Sequence, residues 1–295
     1  VKQVLLSKTF RGDQVSATKQ HPFYKMLTVL VLVLWTVAVL YPLIWTLLGA
    51  LKDNQQFMLG KPWALPKFPL LWSNFTYVWE TYGFGSYFLN STIVTGASTL
   101  ISLLLASTSA YILARFAFKG SGALYNLYLS AMMIPMILGL IPLFFLLNDL
   151  HLINKLFGLI VVYTASALPF GIFVLVGFFK TLPKELEEAA SIDGAGYSRT
   201  YFTVMLPLAK SGLVSVGIMN ALNIWNEYIM GTVFINDPSQ YTLPVGIAIM
   251  QSEMQYRTEW GPLFAGLLLS MIPVIIIYVV FQRQIAEGVT AGAVK

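Results

Sequence analysis

Six stretches of this chain, residues 26–51, 81–114, 120–148, 156–179, 211–226 and 260–282, contain no charged side chain. A helix needs roughly 20 apolar residues to cross the hydrocarbon core of a bilayer, and only a helix or a closed barrel satisfies its backbone polar groups there. Stretches of this length and Leu/Ile/Val richness are read as spans. The chain is therefore expected to be an all-α integral membrane protein with six transmembrane helices. Composition agrees: 57% of residues are hydrophobic and 11% charged, against roughly 25% charged in soluble domains. The fifth stretch is the shortest and reaches spanning length only if residues 206–209 precede it or 227–235 follow it.

Basic residues near span ends favour the cytoplasmic side. With both termini inside, thirteen of the eighteen Lys and Arg fall on cytoplasmic segments. The five left outside are Lys52, Lys61, Lys67, Lys155 and Arg257. The net charge of +5 is then a consequence of topology and does not call for nucleic acid. The expected organisation is a cytoplasmic N-terminal segment 1–25, a six-span domain 26–282, and a cytoplasmic C-terminal tail 283–295. The apolar run behind residue 25 is too long for a signal-peptide core and reads as an uncleaved anchor. Cysteine is absent, which removes disulfides, thiolate nucleophiles and cysteine-ligated metals.

The loop 52–80 is rich in Pro and Trp and reads as a non-helical segment at the outer interface. Pro135 and Pro142 in the third span and Pro273 in the sixth are expected to kink their helices. Gly96, Ala97, Ala106 and Ala110 in the second span allow close helix contacts. No phosphate-binding G-x-x-x-x-G-K-[ST] loop occurs, so ATP chemistry is not expected on this chain. His21 and His151 lack metal-ligand partners at helical spacing, and no metal site is expected.

Polar sequence is concentrated in the loop 180–207, between the fourth and fifth spans. Glu185, Glu187, Glu188 and Asp193 are four of only thirteen acidic residues. Pro183 suits a first helical turn, the glutamates suit the positive end of the helix dipole, and Gly194 suits a left-handed stop. A second helical segment is expected over 197–205, ahead of Leu206 and Pro207. The product is a compact knob whose acidic charge argues against resting on anionic lipid.

Glu188-Ala189-Ala190, then Gly194, then Val204-Met205-Leu206-Pro207 resembles the EAA motif of importer-type ATP-binding-cassette (ABC) permeases. The surrounding Leu186 to Ala195 is similar to the carbohydrate branch. Asn223-Ile224-Trp225-Asn226-Glu227-Tyr228 and the ending Gly288 to Lys295 are similar to the second, maltose-type permease. The resemblance implies the type I importer permease fold, in the cytoplasmic membrane of a bacterium or archaeon. The implied partners are a second permease, two ABC ATPase subunits that carry ATP and Mg, an extracytoplasmic solute-binding protein, membrane lipid and a sugar.

It further implies that the 180–207 loop is a coupling helix seated on an ATPase, through Glu187, Glu188, Ala189, Ala190, Asp193, Gly194, Leu206 and Pro207. The tail, with Thr290, Gly292 and Lys295, would reach between the ATPase subunits. Asp237, Gln240 and Tyr241 in the loop 236–259 would face the binding protein.

Asn220, Asn223 and Glu227 recur at spacings of three and four, on one helix face with Asn226 beside them. Ionisable and amide groups inside a membrane are candidates for a solute path. The same groups also serve interhelical hydrogen bonding. The rival functions are an ABC permease for a non-sugar solute, an ion-coupled carrier, which needs no ATPase, and a membrane enzyme, for which no nucleophile, base and orienting group assemble.

Overall fold

The computed structural model describes residues 22–257 and 259–291. Helix α1 spans Pro22–Ala50. Its part before residue 46 belongs to a unit of its own. That stretch is apolar on all sides, and exposes Leu34, Trp35 and Val37 alike. A helix with no polar face is suited to lipid, not to water.

The second unit begins at Thr46. Helix α2 (Asn54–Leu59) starts where Asp53 accepts the Gln56 backbone N–H at 2.6 Å, a side-chain cap worth about 1 kcal/mol. Helix α3 is Ser73–Thr81. The loop 52–80 is thus partly helical, contrary to expectation. The buried Asn74 amide donates to the carbonyls of Ala50 and Lys52 and so replaces solvent for the end of α1.

Helix α4 is Phe84–Arg115, 32 residues without a break. Helices α5 (Ser121–Met133) and α6 (Leu140–Asp149) flank a 3₁₀ turn at Met136–Gly139. The chain bends by 94° there. Ile134, the residue before Pro135, is extended, as the proline ring requires. Helix α7 is Leu156–Thr181. Next come α8 (Glu185–Ile192), α9 (Tyr197–Thr200), a π turn at Tyr201–Met205 and α10 (Leu206–Leu208). Helix α11 is Lys210–Trp225, set at 75° to the segment Tyr197–Leu208. Helices α12 (Ile229–Phe234), α13 (Leu243–Arg257) and α14 (Trp260–Ala291) complete the chain.

Among the described residues four helices are long and apolar enough to cross a membrane, or up to six if each bent pair is one span. The fifth apolar run, α11, has 16 residues. The segment 236–259 is not only loop, because α13 packs on α4 and α14 and buries Leu243, Val245 and Met250.

Helices α4, α7, α11 and α14 pack on one another. The α4–α7 contact is built from small groups: Ala106 and Ala110 are fully buried, and a Cβ at Gly171 would lie 3.0 Å from that of Ala106. Close backbone approach of this kind drives helix association in lipid, where apolar burial gains little. Gly96 does not take part; it is exposed, with nothing near its missing Cβ.

The unit has two ends. At one, Arg115 of α4 meets the carbonyls of Leu182 and Pro183. At the other, Asn90 of α4 donates to the carbonyls of Ser239 and Tyr241, and the Leu243 N–H donates to Ser91. Residues 285–291 of α14 are described as helix only, so Thr290 lies on its last turn, while Gly292 and Lys295 lie outside the described residues, as does 1–21.

Candidate functional site

Glu185, Glu187 and Glu188 occupy the first turn of α8, where free N–H groups favour anions. Gly194 has φ +76°. The Ala195 N–H donates to the Ala190 carbonyl at 2.9 Å and that of Asp193 to Ala189, which closes the helix as the left-handed glycine stop requires.

Two faces of α8 differ. Inward, Ala190 is buried and Glu187 meets α4. The Tyr111 hydroxyl donates to Glu187 Oε1 at 2.8 Å, and Arg115 Nε lies 3.1 Å from Oε2. Nε makes no hydrogen bond, so this last contact is ionic. The guanidinium is also held by two backbone carbonyls, at 2.9 and 3.1 Å. Outward, Glu188, Ala189 and Asp193 are exposed, and Ile192 is 86% exposed. The expected coupling set is therefore divided, with Glu187 and Ala190 turned into the chain rather than toward a partner. Leu206 is half-buried and Pro207 exposed on α10.

Behind α8, the Tyr201 and Ser107 hydroxyls are 2.7 Å apart. Tyr111 and Tyr201 rings lie 5.2 Å apart, and Phe116 packs edge-on against Tyr197. Tyr111, Arg115 and Tyr201 are functional candidates that spacing did not reveal. Their only signal in the sequence is an arginine at the end of an otherwise uncharged run.

At the opposite end, Asn220, Asn223 and Glu227 line one cavity of about 160 Å³ with Tyr163, Ser166 and Phe170 of α7. Asn220 is buried and donates to Ser102 Oγ at 3.2 Å, the interhelical reading of that residue. Asn223 is exposed. Glu227 lies just beyond the end of α11 and its carboxylate accepts the N–H groups of Met230 at 2.9 Å and Gly231 at 3.2 Å, and the Tyr163 hydroxyl at 2.6 Å. It caps α12 and ties it to α7. Asn226 departs from this face. Its amide donates to the Leu222 carbonyl, and it lines a separate cavity with Tyr228, Leu243 and Gln251.

Asp237 accepts from the Ser239 N–H and hydroxyl. Tyr241 and Gln240 are half-buried beside it. The loop is pinned by Asn90 rather than free. Among the described residues no cluster of three metal-ligating side chains forms.

Three comparisons bear on this arrangement. A permease protein of a diacetylchitobiose uptake system from Streptomyces coelicolor is 39% identical over 264 residues, 90% of this chain and 87% of that protein. A permease of a trehalose/maltose transport system from Thermococcus litoralis is 32% identical, covering 94% of this chain and 99% of the relative. A chain of a bacterial ABC transporter involved in the import of the acidic polysaccharide alginate has the same fold, with a TM-score of 0.79 at 23% identity over 90% of this chain and 98% of that one. The model of the family described as "Binding-protein-dependent transport system inner membrane component" matches residues 98–291, which contain both α8 and the Glu227 cavity, and this chain belongs to that family.

Proposed function

We propose that the chain is the second, maltose-type permease of a carbohydrate importer. In this reading it forms the path with another permease and is driven by two ABC ATPases that bind ATP and Mg. A solute-binding protein delivers at the end that carries α12 and residues 237–241. The family membership makes the chain a permease subunit and not a catalyst. The carbohydrate follows from the uptake systems of its relatives.

The observation that supports coupling best is the outward face of α8. An isoleucine that is 86% exposed, next to exposed Ala189 and Glu188, is costly in water and suits an apolar cleft with a basic rim. Burial of such a side chain contributes about 1.5–3 kcal/mol, which is roughly tenfold or more in affinity. Solute would pass beside Asn220, Asn223 and Glu227, and the tail at Thr290, Gly292 and Lys295 would reach the ATPases.

The test is co-expression with the neighbouring transporter genes and purification of the assembly. Wild type is expected to retain an ATPase and to take up radiolabelled disaccharide when the binding protein is added. Ile192→Asp and Glu188→Arg are expected to retain at least tenfold less ATPase. Retention equal to wild type in both variants overturns the coupling role of α8.

A further inference from the structure

Near the end of α1, on the side of the molecule away from α8, a cavity of about 300 Å³ is walled by Lys52, Asp53, Asn54, Ser73, Tyr77 and Glu259, among others. A second cavity of about 350 Å³ shares Lys52 and Asp53 with it. Each is at the lower end of the roughly 300–1,000 Å³ of small-molecule sites. Neither takes part in the Glu227 cavity.

Lys52 is only 3% exposed, and lysine is almost never buried to that degree unless paired. Its backbone carbonyl is held by Asn74. The one ion pair among the described residues is that of Arg115 and Glu187, and no described side chain accepts from the Lys52 ammonium. In the wall of the same cavity, Glu259 Oε2 is buried with no donor. Unpaired buried polar groups are few in a native protein and call for an explanation. Here the Glu259 carboxylate lines the same cavity as Lys52, and the chain beside it is tied to the wall by the Trp260 backbone N–H, which donates to Asn54 Oδ1 at 3.0 Å.

The charge balance selects the ligand. Asp53 is occupied, since its two oxygens accept from the Gln56 backbone and side-chain N–H groups at 2.6 and 2.8 Å. One ammonium faces two carboxylates in the wall, so an anion gains nothing there. What the site lacks is a group that accepts from Lys52 and donates to Glu259. A hydroxyl does both, and a polyhydroxylated ligand does so without bringing net charge into a desolvated site.

We infer that the Lys52–Glu259 cavity is a hydroxyl-binding subsite for a neutral sugar at the mouth of the permease, separate from the Asn220–Glu227 face. The inference rests on the carbohydrate-importer reading for its ligand and on the unpaired side chains for its position. A sugar released at this end meets the subsite before it meets the spans.

The test uses the full importer complex in lipid nanodiscs, with diacetylchitobiose, maltose and melibiose as probes. Acylation of Lys52 by an amine reagent is followed by mass spectrometry, with Lys155 as the internal reference. The expected result is a saturable slowing of at least threefold at Lys52 and none at Lys155, for at least one sugar. Lys52→Met is expected to raise the half-saturating sugar concentration for uptake at least threefold, with the maximal rate within twofold of wild type.

No selective protection by any probe, in a complex that imports one of them, overturns the subsite and leaves the importer reading standing. Selective protection in a complex that imports none of the three upholds the subsite and removes the carbohydrate-importer reading. Absence of both protection and import overturns both. Because protection is read on wild-type protein, a variant that fails to assemble does not rescue the inference.

Discussion

Glu227 and Asn223 share a cavity but do different work. The Glu227 carboxylate accepts three hydrogen bonds, two from the first N–H groups of α12 and one from Tyr163. Removal leaves those donors unpaired, at about 1–3 kcal/mol. Asn223 is exposed to the cavity. Asn223→Ala is therefore expected to lower sugar uptake several-fold at unchanged thermal midpoint, whereas Glu227→Ala lowers both uptake and midpoint. Thermal unfolding of the purified complex beside an uptake assay separates the two, and unchanged uptake in Asn223→Ala removes this face from the path. The spacing of Asn220, Asn223 and Glu227 made their common face legible in the sequence. Asn226, one residue before Glu227 and so about 100° from it at 3.6 residues per turn, lines a separate cavity.

At the scale of elements, α8 was legible from end to end, since proline, acidic first turn and left-handed glycine are local signals. What holds it was not legible. Tyr111 and Arg115 lie more than seventy residues before Glu187, and no periodic pattern joins them. An arginine whose side chain is only 5% exposed loses its counter-charge if Glu187 is removed, and breaking a buried pair is more destabilising than never having one. Glu187→Ala is expected to cost about 1–3 kcal/mol, below the fully buried range because Glu187 is partly solvated. Measured in the assembled importer, the variant should keep most of its ATP hydrolysis yet lose sugar-dependent stimulation. Stimulation equal to wild type would show that α8 transmits force without this contact. The helices α2, α3 and α13 were missed because each is too short or too mixed in polarity to show a period; α2 is set by the local Asp53 cap, whereas the start of α13 is held by the distant Ser91.

At the scale of the whole molecule, the apolar runs foretold the long helices, and proline foretold one of the two sharp bends. Pro135 marked the place of the 94° bend but not its size, and nothing in the uncharged run marked the 75° turn before α11. Orientation is open to a direct measurement because the chain has no cysteine. Single cysteines at Lys61 and at Ser191 are expected to differ: a membrane-impermeant maleimide labels the first in intact cells and the second only after permeabilisation. The reverse pattern would invert the topology.

One helix contrasts with these broken ones. Helix α4 holds α8 through Tyr111 and Arg115 at one end and the 239–243 segment through Asn90 and Ser91 at the other. Its 32 residues amount to a rod of about 48 Å at 1.5 Å per residue, with no proline inside it. A rigid strut fastened at both tips cannot shift at one without shifting at the other. In the proposed importer, docking of an ATPase on α8 and of a binding protein at residues 237–241 would be felt through the same piece of backbone, and the two mouths of the path would be geared to each other.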